Sequence, residues 1–302
     1  MKGETIFMAF KIITDSASDV SKKIIEEFDL HVIPTPVTIE ETDYFDGETI
    51  FPDDFYRIQA EGKDIKTYHV SQYMFQEHFR PFAQAGDEVL YICFSTGIAG
   101  TFQAANLAKE AIIEEYPDFK ITIIDSKCAS MGFGLVVYKL LTMQRNGADK
   151  DLLIEAAQYF CDHMKHAVAV RTLDYLMKGG RISRTSAIAG TMLDIKPIIE
   201  VDENGALQAT EKVRGWHRAI KRIVEIGREK GADFDRQIIG VAHGVEPESY
   251  EKLKALLQEE LHVKGFMETR IGCAIGAHTG PGIVAFVYQD EINEKYQKYL
   301  DA

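Results

Sequence analysis

The sequence predicts an α/β protein of two domains: an N-terminal parallel-sheet α/β domain over residues 8–165 and a C-terminal α+β domain with a mixed sheet over residues 166–290. Three observations carry this. The chain has 302 residues, a little long for one core and ample for two. Its first half alternates short apolar runs with helical patterns, the rhythm of strand–helix–strand units around a parallel sheet. Its second half mixes a hairpin with single helices, and such a pattern needs a mixed sheet.

Met8 begins the first convincing strand, which leaves residues 1–7 as a tag scar or a disordered extension. Phe10 to Ile13 is apolar and ends in TDSASD, Thr14 to Asp19; a helix follows over 21–28. Leu30 to Ile33 reads as a strand, and Pro34 and Pro36 make the segment to Ile39 edge-like. Pro52 starts a helix that ends near Gly62. Ser71 is placed to cap a helix over 72–85, although Pro81 falls inside it. Glu88 to Phe94 is a buried strand, and STGIAGT, Ser95 to Thr101, leads into a helix to Glu115. Lys120 to Ile124 is a strand ending in Asp125-Ser126, followed by helices over 129–145 and 150–164.

His166 to Val170 opens the second half as a strand, and Leu173 to Ser183 reads as helix, Gly-Gly turn and helix cap. Pro197 to Val201 and Leu207 to Thr210 flank Glu203-Asn204-Gly205, a hairpin pattern. Helices over 216–228 and 248–261 alternate with strands over 237–243 and 266–271. The last strand, 283–288, follows a glycine-rich loop, Gly272 to Gly282.

Composition narrows the function. The chain is 46% hydrophobic and 27% charged with 8 prolines, the make-up of a globular protein. A net charge of −13 argues against broad nucleic-acid or anionic-membrane binding. No stretch approaches the roughly 18 to 20 uncharged apolar residues of a membrane span, and MKGETIFMAF is no signal peptide. The four cysteines are far apart, and Cys93, Cys128 and Cys161 sit in apolar stretches as buried free thiols. Reduced thiols fit a cytoplasmic location. No histidine–carboxylate set has metal-ligand spacing.

Three strand ends of the first half carry hydroxyl and carboxylate clusters: Thr14-Asp15-Ser16, Ser95-Thr96 and Asp125-Ser126. Ligands of open α/β sheets bind at such ends. Ser95 to Thr101 is either an anion site at a helix start or a tight turn with ordinary caps. It lacks the lysine of a phosphate-binding loop. His278 stands between Gly276, Gly280 and Gly282, where a loop offers it no core to fill. It could hold a carboxylate, act as a base or carry a phosphoryl group. His243 reads as a structural strand-end histidine. KGGRIS, Lys178 to Ser183, and the cluster of Arg214, Arg218, Lys221 and Arg222 reverse the overall sign of charge locally. They are solvated basic faces or a docking surface for an acidic partner. The apolar run Thr191 to Val201 is core or the lining of a tunnel. There is no G-x-S-x-G elbow.

With these pieces together the chain resembles the DegV family, the fatty-acid-binding subunits of bacterial fatty acid kinase. The landmarks are TDSASD, STGIAGTFQAA from Ser95, IIDS from Ile123, LMKGGRIS ending at Ser183, IKPIIEVDENGAL from Ile195, KVRGWHRAIK from Lys212 and IGAHTGPG from Ile275. The resemblance implies two α/β domains with a DegV-like fold and one long-chain fatty acid held between and within them. It implies no cofactor and no catalysis by this chain, which presents the acid to a separate ATP-dependent kinase for acyl-phosphate formation. By motif match the carboxylate holders are Thr67, Ser95, Thr96 and His278, and Arg214 faces the kinase. Two segments depart from the family: TYHVS, Thr67 to Ser71, stands where T-S-Q-P-S is usual, and Ile98-Ala99 where Leu-Ser is usual. The alternative is a phosphotransferase or small-molecule kinase subunit using His278; a third reading is a regulatory module with an empty cleft.

Overall fold

Strand β1 (Phe10–Asp15) forms where an apolar, β-branched run stops at a polar turn. After it come β2 (His31–Ile33), β3 (Pro36–Ile39), β4 (Thr42–Phe45), β5 (Ile65–Thr67), β6 (Glu88–Cys93) and β7 (Lys120–Asp125). The structure, a computed structural model, describes residues 9–183 and 194–302. The expected strand start at Met8, the reading of residues 1–7 and the first three residues of the Thr191 run lie outside them.

Four strands pair in parallel in the order β2-β1-β6-β7. Alternation sends Ile13, Val89 and Tyr91 to one face, against Phe75 and Phe79 of the helix Gln72–Ala85 and Ala105 and Ile112 of the helix Thr101–Glu115. Ser71 caps the first of these helices by accepting the Met74 N–H at 3.2 Å. Ile12, Leu90 and Ile92 point the other way, toward the helix Met131–Arg145.

The second half supplies β8 (Met164–Val170), β9 (Ile195–Val201), β10 (Leu207–Arg214), β11 (Ile238–His243), β12 (Gly265–Arg270) and β13 (Ile283–Gln289). They form a six-stranded mixed sheet in the order β10-β9-β8-β13-β11-β12, in which only β11 and β12 run parallel. The Glu203–Gly205 turn joins β9 and β10 as a hairpin. The helices Trp216–Lys230 and Pro247–Leu261 pack on one face through Ile220, Ile223, Leu253 and Leu257. The other face looks across the molecule to the helix Met131–Arg145. That helix is apolar except for Lys139, Thr142 and its last two residues, and it is buried over almost its whole length, as a helix between two sheets must be. The result is a two-domain α/β architecture with a parallel and a mixed sheet.

Two expectations are corrected. The edge-like segment after Pro34 is instead the centre of a small antiparallel sheet, β4-β3-β5. Pro36 sits at the first position of β3, where a missing N–H costs the ladder least. The glycine-rich loop after Gly272 is a helix, Cys273–Thr279. Its start is capped from the other half of the molecule: Asp46 accepts the N–H groups of Cys273 and Ala274 at 3.0 and 2.9 Å, and Asp19 that of Gly272 at 2.9 Å. A cap supplied from more than 220 residues away leaves no local trace in the sequence.

Candidate functional site

The space between the six-stranded sheet and the first half is a cavity of about 1080 Å³, including its open mouth. Its floor is the sheet face toward the helix Met131–Arg145. Val168 and Val170 of β8 lie beside Ala285 and Ile283 of β13, and Ile199 of β9 flanks Val168. Phe94, Ile98 and Ala99 close it from the strand end of β6. The walls are overwhelmingly apolar.

One group of polar residues gathers at one end, around Thr67 and His278. Thr67 ends β5 and His278 sits in the last turn of the helix Cys273–Thr279, so the small sheet and the capped helix bring together residues 211 positions apart. Thr67 Oγ1 and His278 Nε2 share a hydrogen bond of 2.6 Å. Whichever way the proton lies, His278 Nδ1 is buried and has no partner among the described residues. Burial, and then the charge of Arg181, push the imidazole down to about 4, so it is neutral near pH 7. Arg181 lines the same end, and its Nη1 donates to the Gly179 carbonyl at 2.6 Å. Burial lowers its pKa, and among the described residues no carboxylate pairs with it. Gly179 has a steric reason: a Cβ there would come within 2.1 Å of His278 Nδ1. Thr35, buried, and the exposed Tyr68 and His69 complete this end.

Such an end is suited to an anion. A half-buried guanidinium with no carboxylate partner among the described residues is a donor awaiting an acceptor, and the Thr67–His278 pair keeps one more proton to give, on Nδ1 or on the hydroxyl according to the tautomer.

Ser95 and Thr96, expected beside them, are placed elsewhere. Ser95 is fully buried; its hydroxyl donates to the Gly205 carbonyl at 2.7 Å and accepts the Gly97 N–H at 3.1 Å. Thr96 is exposed and donates to Asp125 Oδ2 at 2.6 Å, while its N–H meets Oδ1 at 3.1 Å. Neither lines the cavity. The strand ends do converge, but mainly on one another. Asp15 accepts from Tyr91 Oη at 2.8 Å and from the N–H groups of Phe94 and Ala17, and burial raises its pKa to about 6.

Arg214 is exposed at the end of β10, with Arg218 and Lys221 exposed beyond it. Arg222, expected in the same patch, is engaged by Glu211 and Glu229 at 2.7 Å each. His243 is structural, accepting the Glu246 N–H at 3.3 Å. All four cysteines are buried and free. Among the described residues no group of three or more His, Cys, Asp or Glu side chains could hold a metal ion, and no helix is long and apolar enough to cross a membrane. Arg181 is the residue that sequence reasoning missed. The Lys178–Ser183 motif drew attention, but as an outward basic face.

Fold and site together define a two-domain α/β protein with an apolar cavity that is polar at one end, between its domains. The chain belongs to the DegV family: the family profile described as "Uncharacterised protein, DegV family" matches residues 9–291. A DegV domain-containing protein of Clostridium perfringens is 32% identical over 287 residues, covering 94% of this chain and 99% of that protein. Among solved structures, a fatty acid binding DegV family protein from Streptococcus agalactiae is similar with a TM-score of 0.82 at 30% identity, over 95% of this chain and 100% of that one. A stearic acid-binding protein from Eubacterium ventriosum gives a TM-score of 0.85 at 26% identity, over 96% and 99%.

Proposed function

We propose that this chain binds a long-chain fatty acid and presents it to a separate ATP-dependent kinase that forms the acyl phosphate. The observation that carries the binding is the cavity itself, mostly apolar along the sheet, with Thr67, His278 and Arg181 together at one end. The carboxylate takes that end and the tail lies along β8 and β13. Each buried methylene contributes about 0.8 kcal/mol, so an apolar wall is what holds such a ligand. The fatty-acid ligands of the Streptococcus and Eubacterium proteins support the same reading. On this reading the chain is a carrier without catalytic residues, and transfer chemistry belongs to the partner.

Arg214 and its exposed basic neighbours face the kinase. An acidic protein with a local basic patch can orient an acidic partner through it. Titration of delipidated protein with palmitic acid in a calorimeter tests the binding: saturation at one acid per chain is expected, and no heat with C16 or C18 acids overturns it. Arg214→Ala is expected to leave palmitate affinity unchanged and to slow acyl-phosphate formation when the kinase and ATP are added. An unchanged rate removes Arg214 from the docking surface. Phosphohistidine at His278 would instead favour the phosphotransferase reading.

A further inference from the structure

The end of the cavity opposite Thr67 and His278 is not purely apolar. On β8 the cavity-lining residues alternate as Val170, Val168 and His166, and on β13 as Ile283, Ala285 and Val287. Val287 is paired with His166, and beyond them Met164 and Gln289 no longer line the space. His166 therefore marks the far end. Its side chain is 5% exposed. Nε2 contacts the Ala129 backbone, 3.3 Å from its N–H and 3.2 Å from its carbonyl. Nδ1 is buried and has no partner among the described residues in either tautomer.

The imidazole is accommodated rather than accidental. Gly132 lies against it: a Cβ at that position would stand 2.0 Å from Nε2. A glycine in the first turn of a buried helix costs helix stability, and here it makes room for the ring. An unpaired ring nitrogen in an apolar setting is unfavourable by itself. It becomes favourable when a ligand brings a hydrogen-bonding atom to it. A hydroxyl fits both tautomers, because it can donate to a bare nitrogen or accept from N–H.

We propose that the far end of this cavity recognises a hydroxyl group in the middle of the acyl chain, with His166 as the residue that reads it. The proposal rests on the fatty-acid reading above and narrows it to hydroxylated long-chain acids. Position follows from geometry. Four residues at about 3.3 Å each put His166 roughly 13 Å along the floor from Val170, at the polar end. An all-trans chain advances about 1.3 Å per carbon, given carbon–carbon bonds of about 1.5 Å. His166 then stands beside roughly the tenth to thirteenth carbon from the carboxyl group.

Pairwise competition on the delipidated full chain, read by native mass spectrometry, tests this. Stearic acid is set against 2-, 10- and 12-hydroxystearic acid in turn. The 10- or 12-hydroxy acid is expected to win by at least about fivefold, the effect of one satisfied buried hydrogen bond. His166→Leu is expected to reverse that preference, since the hydroxyl then meets only apolar atoms, and to leave the 2-hydroxy ratio unchanged. His166→Gln, which keeps a donor and an acceptor, restores part of it. If wild-type protein binds stearic acid and prefers neither mid-chain hydroxy acid, this inference is overturned and the fatty-acid reading stands. If no acid of the series binds, both fall. The wild-type series decides the matter even where His166→Leu does not fold.

Discussion

Two pairs of polar residues at strand and helix ends invite comparison: Thr67 with His278, and Ser95 with Thr96. All four looked alike as donors. The first pair joins across the domain junction and leaves His278 Nδ1 buried, with no partner among the described residues. The second pair is spent on the protein itself, Ser95 on the Gly205 carbonyl and Thr96 on Asp125. The difference teaches that a hydroxyl's chemistry does not decide its role. Its neighbours do, because a donor already satisfied in the fold has nothing left for a ligand. The Ser95 loop locks the β9–β10 hairpin onto the first domain, and the Thr67 end stays open to an anion.

Predictions can break this contrast. Arg181→Gln is expected to have the largest effect, a loss of about 1.5–3 kcal/mol in palmitate affinity, as for a hydrogen bond to a charged group. Calorimetric titration checks it, and an unchanged Kd would place the carboxylate elsewhere. His278→Ala follows at about 1–3 kcal/mol, from a charged ligand group left short of a partner. If Ser95→Ala weakened binding more than His278→Ala, the contrast would be inverted.

The pH behaviour sharpens the same point. His278 is held at about 4 in the fold, below the ordinary value near 6.5. The unfolded chain therefore takes up a proton first on acidification, and this group's contribution to stability falls between those two values. His166, also held at about 4, acts in the same direction; Asp15, raised to about 6, acts in the opposite one. In the ligand-free protein the His278 ring resonances are expected to stay fixed from pH 8 to about 5.5. A midpoint near 6.5 would mean that the ring is not buried beside Arg181. The smallest effect belongs to Thr96→Val: no change in palmitate affinity, and at most about 1 kcal/mol of stability for an exposed hydrogen bond.

Much of the fold was legible because it is written locally. The apolar runs of β1, β6 and β7, the Ser71 cap and the Glu203–Gly205 turn each carry their own pattern. The helix Cys273–Thr279 was not legible, since its cap comes from Asp46 and its glycines read as loop. Nor was the centre strand β3, whose prolines read as an edge. At the site, Thr67 and His278 could be picked out by motif, but the direction of a side chain is a tertiary fact. Ser95 and Arg181 illustrate this: the Ser95 hydroxyl donates to the Gly205 carbonyl, and Arg181 lines the cavity.

The most direct test of the central claim is native mass spectrometry of the purified protein, followed by denaturing extraction of whatever it carries. One bound acid per chain, of C16–C18 length, is expected, released on denaturation and rebound by the delipidated protein. A protein that comes out empty, and stays empty after incubation with such acids, would contradict it.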